Sequence, residues 1–186
     1  MNMPQAGGPS GAGAHSSGLV RMADRLESVV DGVGRAVAWV CLAMVVVVAV
    51  NVLLRYLFHI GPVSMQETEW HLMSPIALIG MSYAMRHGDH VRVDIFYDKF
   101  SPQARRWVDF IAATLTLIIA VVVFELALWF VKESFDIGEV SPDPGGLRYR
   151  WLLKSIIPFG FFLLGVQALA QMLRTGALIL RGDHGQ

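Results

Sequence analysis

The sequence predicts an all-α membrane protein with four transmembrane helices, an amphipathic interfacial helix before the first of them, and both termini in the cytoplasm. Three observations predict this class. Charged residues make up only 16% of the 186 positions, whereas a soluble domain carries about a quarter. The charge-poor positions fall in four blocks, three of them long enough to cross the hydrocarbon of a bilayer. Lys and Arg are distributed unequally between the segments that join the blocks.

The segment before the first block divides in two. Residues 1–18 are rich in Gly, Pro, Ser and Ala and have no apolar core of a signal peptide, which predicts a disordered tail. Residues 19–35 place Met22, Leu26, Val29 and Val33 on one helical stripe, which predicts an amphipathic helix on the inner membrane surface. Residues 19–182 are predicted to form a single domain.

The four predicted spans cover the apolar runs 36–54, 70–85, 107–131 and 155–173. The second run is the shortest and reaches a spanning length only if its helix begins near Glu67. Its small residues, Ser74, Gly80 and Ser82, predict close packing against other helices. Helix starts are predicted at Ser64, from a capping box with Glu67, and at Ser101, an N-cap followed by Pro102.

The distribution of basic residues predicts the orientation, because loops rich in Lys and Arg stay in the cytoplasm. Ten basic residues lie on the side of the two termini and of the loop between the second and third spans, and five lie on the other side. The five are Arg55, Lys132, Arg148, Arg150 and Lys154.

The polar stretch RHGDHVRVD, residues 86–94, contains metal-ligand side chains but no recognised zinc spacing. We interpret it as a solvated cytoplasmic loop. The chain also lacks a nucleophile elbow, a P-loop and any other catalytic signature, so neither an enzyme nor a cofactor is predicted. Fifteen basic residues balance fifteen acidic ones, which gives no reason to expect nucleic-acid binding.

The same stretch belongs to an ordered set of motifs that resembles a known family. Arg55-Tyr56, VSMQETEW with Glu67, Gly80, Arg86, and His90 with Asp94 are similar to the small, DctQ-like membrane subunit of tripartite ATP-independent periplasmic (TRAP) transporters. The later SPDPGGLRYRWLLKSIIPFGF resembles its mannitol/chloroaromatic-type subgroup. Ser64 stands where many members of the family carry an aromatic residue before the Glu.

The resemblance implies a scaffold subunit of a sodium-coupled secondary transporter for organic acids in the bacterial inner membrane. Its partners would be a large DctM-like membrane subunit and a periplasmic DctP-like binding protein that it helps to dock. The alternative is a haem-bearing or other small membrane anchor subunit of an oxidoreductase, although His59, His71, His87 and His90 lie at or outside the span ends.

Eight residues are candidates for structural or interaction roles, and none for catalysis, cofactor or metal binding. Glu67 either pairs with Arg55 or both act as separate interfacial anchors, and Asn51 and Glu69 lie at the same end of the spans. Glu125 lies inside the third span, where an ionisable residue is a functional candidate by default. We interpret it as snorkelling to the interface or hydrogen bonding to a partner subunit. Arg86, His90 and Asp94 complete the set.

Overall fold

The computed structural model describes residues 11–88 and 100–180, with side chains from residue 18 onward. Four helices account for nearly all of these residues: α1 (Gly11–Phe58), α2 (Val63–His87), α3 (Pro102–Asp136) and α4 (Arg150–Leu180). The predicted all-helical fold is therefore confirmed. Residues 1–10 of the predicted tail, and the candidates His90 and Asp94, lie outside the described residues.

Three of the helices, rather than the predicted four, are both long and apolar enough to cross a membrane. They are α1 from Gly18 onward, α3 and α4. The helix α2 has 25 residues, which is a length of about 37 Å. It differs from the others because polar residues occupy both its ends, from Gln66 to Glu69 at the start and Arg86-His87 at the finish.

The helix α4 is central in the arrangement, since it contacts each of the other three, whereas α3 packs mainly against α4. Buried residues on three helices recur every seven positions, which is the spacing of left-handed helix packing. The positions are Ala23, Val30 and Val37 on α1, where Asn51 follows after fourteen positions, Ala113, Ala120, Ala127 and Ser134 on α3, and Leu163, Ala170 and Ala177 on α4. The small residues of α3 let its backbone approach α4 closely.

The helix α1 continues without a break from Gly11 to Phe58, so the separate interfacial helix predicted for residues 19–35 is absent. Met22 and Val29 of the predicted apolar stripe are exposed, whereas the neighbouring Ala23 and Val30 are fully buried. The physical reason is that this part of α1 packs against α2 and α4 through a neighbouring face of the helix.

The predicted helix starts have different outcomes. Ser101 is the N-cap of α3, and its hydroxyl accepts a hydrogen bond from the Ala104 amide at 3.2 Å, with Pro102 next to it, as predicted. The capping box at Ser64 is wrong, because α2 begins at Val63 and its N-cap is Pro62, which has no side-chain acceptor.

Close packing occurs at a glycine that the sequence reading did not select. A Cβ added at Gly160 of α4 would lie 2.7 Å from the Leu78 Cβ and 3.1 Å from the Leu78 carbonyl oxygen on α2. A Cβ added at Gly80, by contrast, would meet nothing within 4 Å. The prediction that Gly80 packs against a neighbouring helix is therefore wrong among the described residues, and Gly160 is a point where the backbones of α2 and α4 approach closely.

Changing Gly160 to alanine is expected to reduce the free energy of unfolding by about 1–2 kcal/mol, because the new methyl overpacks the contact with α2. The matched control is Gly165→Ala on the same helix, whose Cβ would lie at an ordinary 3.6 Å from the Ala120 Cβ. Both changes gain the same helix propensity, so a difference between them isolates the packing cost. SDS titration measures the stability of both variants. Equal stabilities would contradict a tight contact between Gly160 and α2.

Candidate functional site: the polar ends of the helices and the exposed face of α3

At one end of the helices, the partly buried carboxylate of Glu67 contacts the loop between α3 and α4. The Glu67 carboxylate of α2 accepts hydrogen bonds from the Ser141 hydroxyl and from the backbone amide of Leu147. Both donors belong to the loop between α3 and α4. We call Glu67, Glu139, Ser141, Leu147 and Lys154 the loop cluster. Because Glu67 accepts hydrogen bonds from Ser141 and Leu147, on either side of the turn, it fixes the loop against the start of α2.

The turn within this loop requires glycine beside the carboxylate. Ser141 and Leu147 are joined by a backbone hydrogen bond of 3.1 Å across the turn, and Gly145 has a φ of 83°. A Cβ at Gly146 would lie 2.5 Å from the Ser141 hydroxyl oxygen and 2.8 Å from Glu67 Oε2. The turn predicted from SPDPGGL is therefore confirmed, and Gly146 lets the backbone approach Glu67.

A second carboxylate of the loop cluster holds the loop to the start of α4. Lys154 donates a hydrogen bond to Glu139, and the Arg150 Nε lies 4.0 Å from the Glu139 Oε1. The Lys154 hydrogen bond is the largest cause that lowers the pKa of Glu139 below its ordinary value, and the charges of Lys154 and Arg150 act in the same direction. Since folding lowers the pKa of Glu139, the ion pair stabilises the fold when the pH is above the ordinary pKa of a glutamate. This stabilisation is lost as the pH falls through the lowered pKa of the folded protein.

The predicted pair between Arg55 and Glu67 does not form in the part of the chain that the structure describes, because Glu67 is engaged by the loop. The connection between α1 and α2 at this end is made instead by two other candidates. The buried Asn51 donates a hydrogen bond from Nδ2 to the Glu69 Oε1 at 2.7 Å. Asn51 and Glu69 therefore do what was predicted for Arg55 and Glu67.

The opposite end carries a network that joins three helices, which we call the N-terminal cluster: Asp24, Glu27, Asp31, Arg86 and Arg174. The Arg174 Nη2 of α4 lies 2.7 Å from the Asp24 carboxylate and 2.8 Å from that of Glu27. The Arg86 Nη1 of α2 lies 2.8 Å from the Asp31 carboxylate and also donates to the Glu27 carbonyl. This network holds α1 against both α2 and α4.

The two clusters are separated by about the thickness of a bilayer core. Glu67 and Arg86 are 19 positions apart on α2, and Lys154 and Arg174 are 20 positions apart on α4. At about 1.5 Å per residue these separations are about 28 and 30 Å, against about 30 Å for the hydrocarbon. Ionic contacts therefore lie at both ends of a predominantly apolar middle.

Glu125 lies in this middle, on the outward face of α3. Its side chain is exposed, and within residues 11–88 and 100–180 it has no hydrogen-bond or ion-pair partner. Five positions further on, Phe130 lies under the Lys154 ammonium at 3.9 Å, so Glu125 is about 7.5 Å from the level of the loop cluster. The face around it is apolar and exposed, and consists of Ile118, Val122 and Trp129. A carboxylate on such a face requires a partner or water.

Residues 44–177, more than half of the chain, match the family model described as the DctQ component of tripartite ATP-independent periplasmic transporters. The chain belongs to the DctQ family. It is therefore a multi-pass membrane subunit of a transporter and not an enzyme.

Two curated relatives agree with the DctQ assignment. The chain is 28% identical over 101 residues, 53% of its length, to the ectoine TRAP transporter small permease protein TeaB of Halomonas elongata, and the match spans half of TeaB. It is 24% identical over 163 residues, 85% of its length, to a putative TRAP transporter small permease protein of Haemophilus influenzae, of which it covers 98%.

The histidines of the DctQ-family chain do not favour the oxidoreductase alternative. His71 lies next to the loop cluster and His87 next to the N-terminal cluster, and each ring Nδ1 is within 3.0 Å of the backbone carbonyl four residues earlier. Two histidines at opposite ends of one helix do not face each other across a haem.

Sequence reasoning missed most of the N-terminal cluster. Asp24, Glu27, Asp31 and Arg174 are not among the predicted candidates, although Asp24, Glu27 and Asp31 lie within seven positions on one side of α1. That spacing of i, i+3 and i+7 was the available signal. The roles of Ser141 and Leu147 had no comparable signal, because their contact with Glu67 spans more than 70 positions.

Proposed function

We propose that this chain is the fixed scaffold subunit of a sodium-coupled TRAP transporter for organic acids in the bacterial inner membrane. It holds the large DctM-like subunit and helps to dock a periplasmic DctP-like binding protein. The observation that carries the proposal is the joining of continuous helices by ionic contacts at both ends. A moving substrate site instead needs broken helices and polar groups near the bilayer midplane.

In this proposal α2 is the fourth span, despite its polar ends. Glu67 and Arg86 near its two ends are engaged in the two clusters, and the stretch between them has the length of the hydrocarbon. The excess of basic residues around the N-terminal cluster supports its placement on the cytoplasmic side, together with both termini. The loop cluster then lies on the periplasmic side.

The large subunit contacts the face of α3 that carries Glu125. Helix α3 is covered mainly by α4, and on its outward face the exposed Glu125 lies among large exposed apolar side chains. The exposed face of α1, with Val45, Val46 and Leu53, is apolar throughout and suits lipid. Glu125 would find a donor on the partner helix, where the low dielectric strengthens the interaction.

The binding protein docks on the loop that Glu67 and Glu139 hold in place. Ile60, Ile137, Val140 and Tyr149 are exposed at this end, outside the proposed spans, and Asp143 and Arg148 lie among them. Apolar patches with a charged rim are typical of protein interaction sites. A loop that is already ordered loses less conformational entropy when the partner binds.

Removing the loop contact is expected to impair uptake without changing the binding protein. Glu67→Ala and Gly146→Ala act on the same contact from opposite sides, the first by removing the acceptor and the second by pushing the turn away from it. Both variants should increase hydrogen exchange of the backbone amides of residues 141–147. Both should also lower uptake of the binding protein's own radiolabelled ligand by about tenfold, which corresponds to the free energy of one charge-assisted hydrogen bond.

Glu133→Ala is the control, because this exposed carboxylate lies on α3 outside the loop cluster. Ligand affinity of the isolated binding protein should be unchanged throughout. A strain that lacks the whole chain should show no uptake, and normal uptake in that strain would refute the scaffold proposal. Unchanged uptake with a loosened loop would refute the docking part alone.

A further inference from the structure

The loop-cluster end of α1 and α2 contains a groove to which no role has been assigned. We call it the α1–α2 groove, and its lining includes Val48, Asn51, Val52 and Arg55 of α1 and Glu69 and Trp70 of α2. Its volume is ≈ 370 Å³, far more than the roughly 30 Å³ that a water molecule occupies in the liquid. The groove is therefore large enough for a polar headgroup.

Opposite charges line this groove without neutralising each other. Arg55 and Glu69 form no ion pair with each other in the part of the chain that the structure describes, and Arg55 has no carboxylate partner there. One oxygen of Glu69 is held by Asn51 at 2.7 Å, which orients the carboxylate. This hydrogen bond also fixes the amide orientation of Asn51, because the flipped amide would place two acceptors together. A fixed anion and a free cation in one groove are complementary to a zwitterion.

The groove also has an apolar side. Val48 and Val52 are four positions apart on α1, both exposed, and lie one to two turns deeper in the proposed span than Arg55. Trp70 is 69% exposed at the polar end, where indole rings favour the interface between headgroups and hydrocarbon. A molecule that fits both parts has a charged head and an acyl chain.

We propose that the α1–α2 groove binds one aminophospholipid with an ethanolamine headgroup from the bilayer leaflet on this side. The phosphate contacts the Arg55 guanidinium, and the primary ammonium donates to the Glu69 carboxylate beside the Trp70 ring. The acyl chain lies on Val48 and Val52. Choline lacks an N–H donor for Glu69, and glycerol lacks a cation, so the groove selects ethanolamine over both. This site depends on α1 and α2 lying in the membrane but on no other subunit.

Native mass spectrometry of the full-length chain tests the proposal, with dioleoyl phosphatidylethanolamine, phosphatidylcholine and phosphatidylglycerol as probes. The wild-type chain should retain the ethanolamine lipid about tenfold better than the other two, the equivalent of one charge-assisted hydrogen bond. Arg55→Gln and Glu69→Gln should each remove this preference. Arg148→Gln, an exposed arginine of the same end outside the groove, should leave it unchanged.

Circular dichroism shows whether each variant folds. If a variant does not fold, the comparison of the three lipids on the wild-type chain still tests the proposal. Equal retention of the three lipids would overturn the proposal, as would an Arg148 variant with the same loss as Arg55. Loss of the ethanolamine lipid when the large subunit is bound would show that a protein segment fills the groove, and this would also overturn it.

Discussion

Replacing Arg86 with alanine is expected to reduce the free energy of unfolding by about 2–3 kcal/mol. Arg86 lies 2.8 Å from Asp31 and donates to the Glu27 carbonyl, and its side chain is 23% exposed. Its removal leaves the Asp31 carboxylate with the ring of His87, whose Nε2 lies 3.9 Å from the Asp31 Oδ1, as its remaining neighbour on α2. The expected loss is below that of a fully buried pair because both side chains are partly solvated.

A double-mutant cycle with Asp31→Asn separates the ion pair from other effects of the change. The double variant should lose about 1 kcal/mol less than the sum of the two single variants. Arg35→Ala is the control, because Arg35 is an exposed arginine of α1 that lies one turn after Asp31. SDS titration measures the stabilities of the wild type and of all these variants, and additive losses in the double variant would show that Arg86 and Asp31 do not interact energetically.

Replacing Glu125 with alanine is expected to reduce the amount of large subunit that co-purifies with the tagged chain by about tenfold or more. The carboxylate interrupts the apolar face of α3 and has no partner within the described residues, so a donor of the large subunit would lose its acceptor. Glu125→Gln keeps a neutral acceptor and should have a smaller effect.

Two measurements distinguish a lost contact from a lost fold. The stability of the isolated chain should not decrease in the Glu125 variants, because no contact within the described residues is removed. Glu133→Ala, a second exposed carboxylate on α3, should co-purify like the wild type. Equal recovery of the large subunit with the wild-type and Glu125→Ala chains would remove Glu125 from the interface.

The helices could be predicted from the sequence, because apolar length and helix caps are local properties. The runs around Val45, Ile118 and Leu163 each fall within a described helix, and Ser101-Pro102 begins α3 as predicted. The packing within the helices could have been predicted in part. Ala113, Ala120 and Ala127 recur every seven positions, and this pattern indicates the face of α3 that approaches α4.

The partners of the charged candidates could not be predicted in this way. Glu67 was correctly placed at the loop end of α2, but its donors lie 74 and 80 positions further along the chain. Proximity in the sequence favoured Arg55 as its partner, and tertiary packing instead directs Glu67 towards the loop. Likewise, hydrophobic periodicity predicted an amphipathic helix for residues 19–35, whereas ion pairs with Arg86 and Arg174 hold this segment against the other helices.

Cross-linking from single cysteines in native membranes tests the scaffold proposal most directly. In a Cys41→Ser background, a photoactivatable maleimide is attached at Val122→Cys or Trp129→Cys on the Glu125 face of α3, or at Val45→Cys on the apolar face of α1. All three positions are exposed in the isolated chain. The proposal predicts a cross-linked product with the large subunit from both α3 positions and none from α1. A product from Val45→Cys, with none from either α3 position, would contradict it.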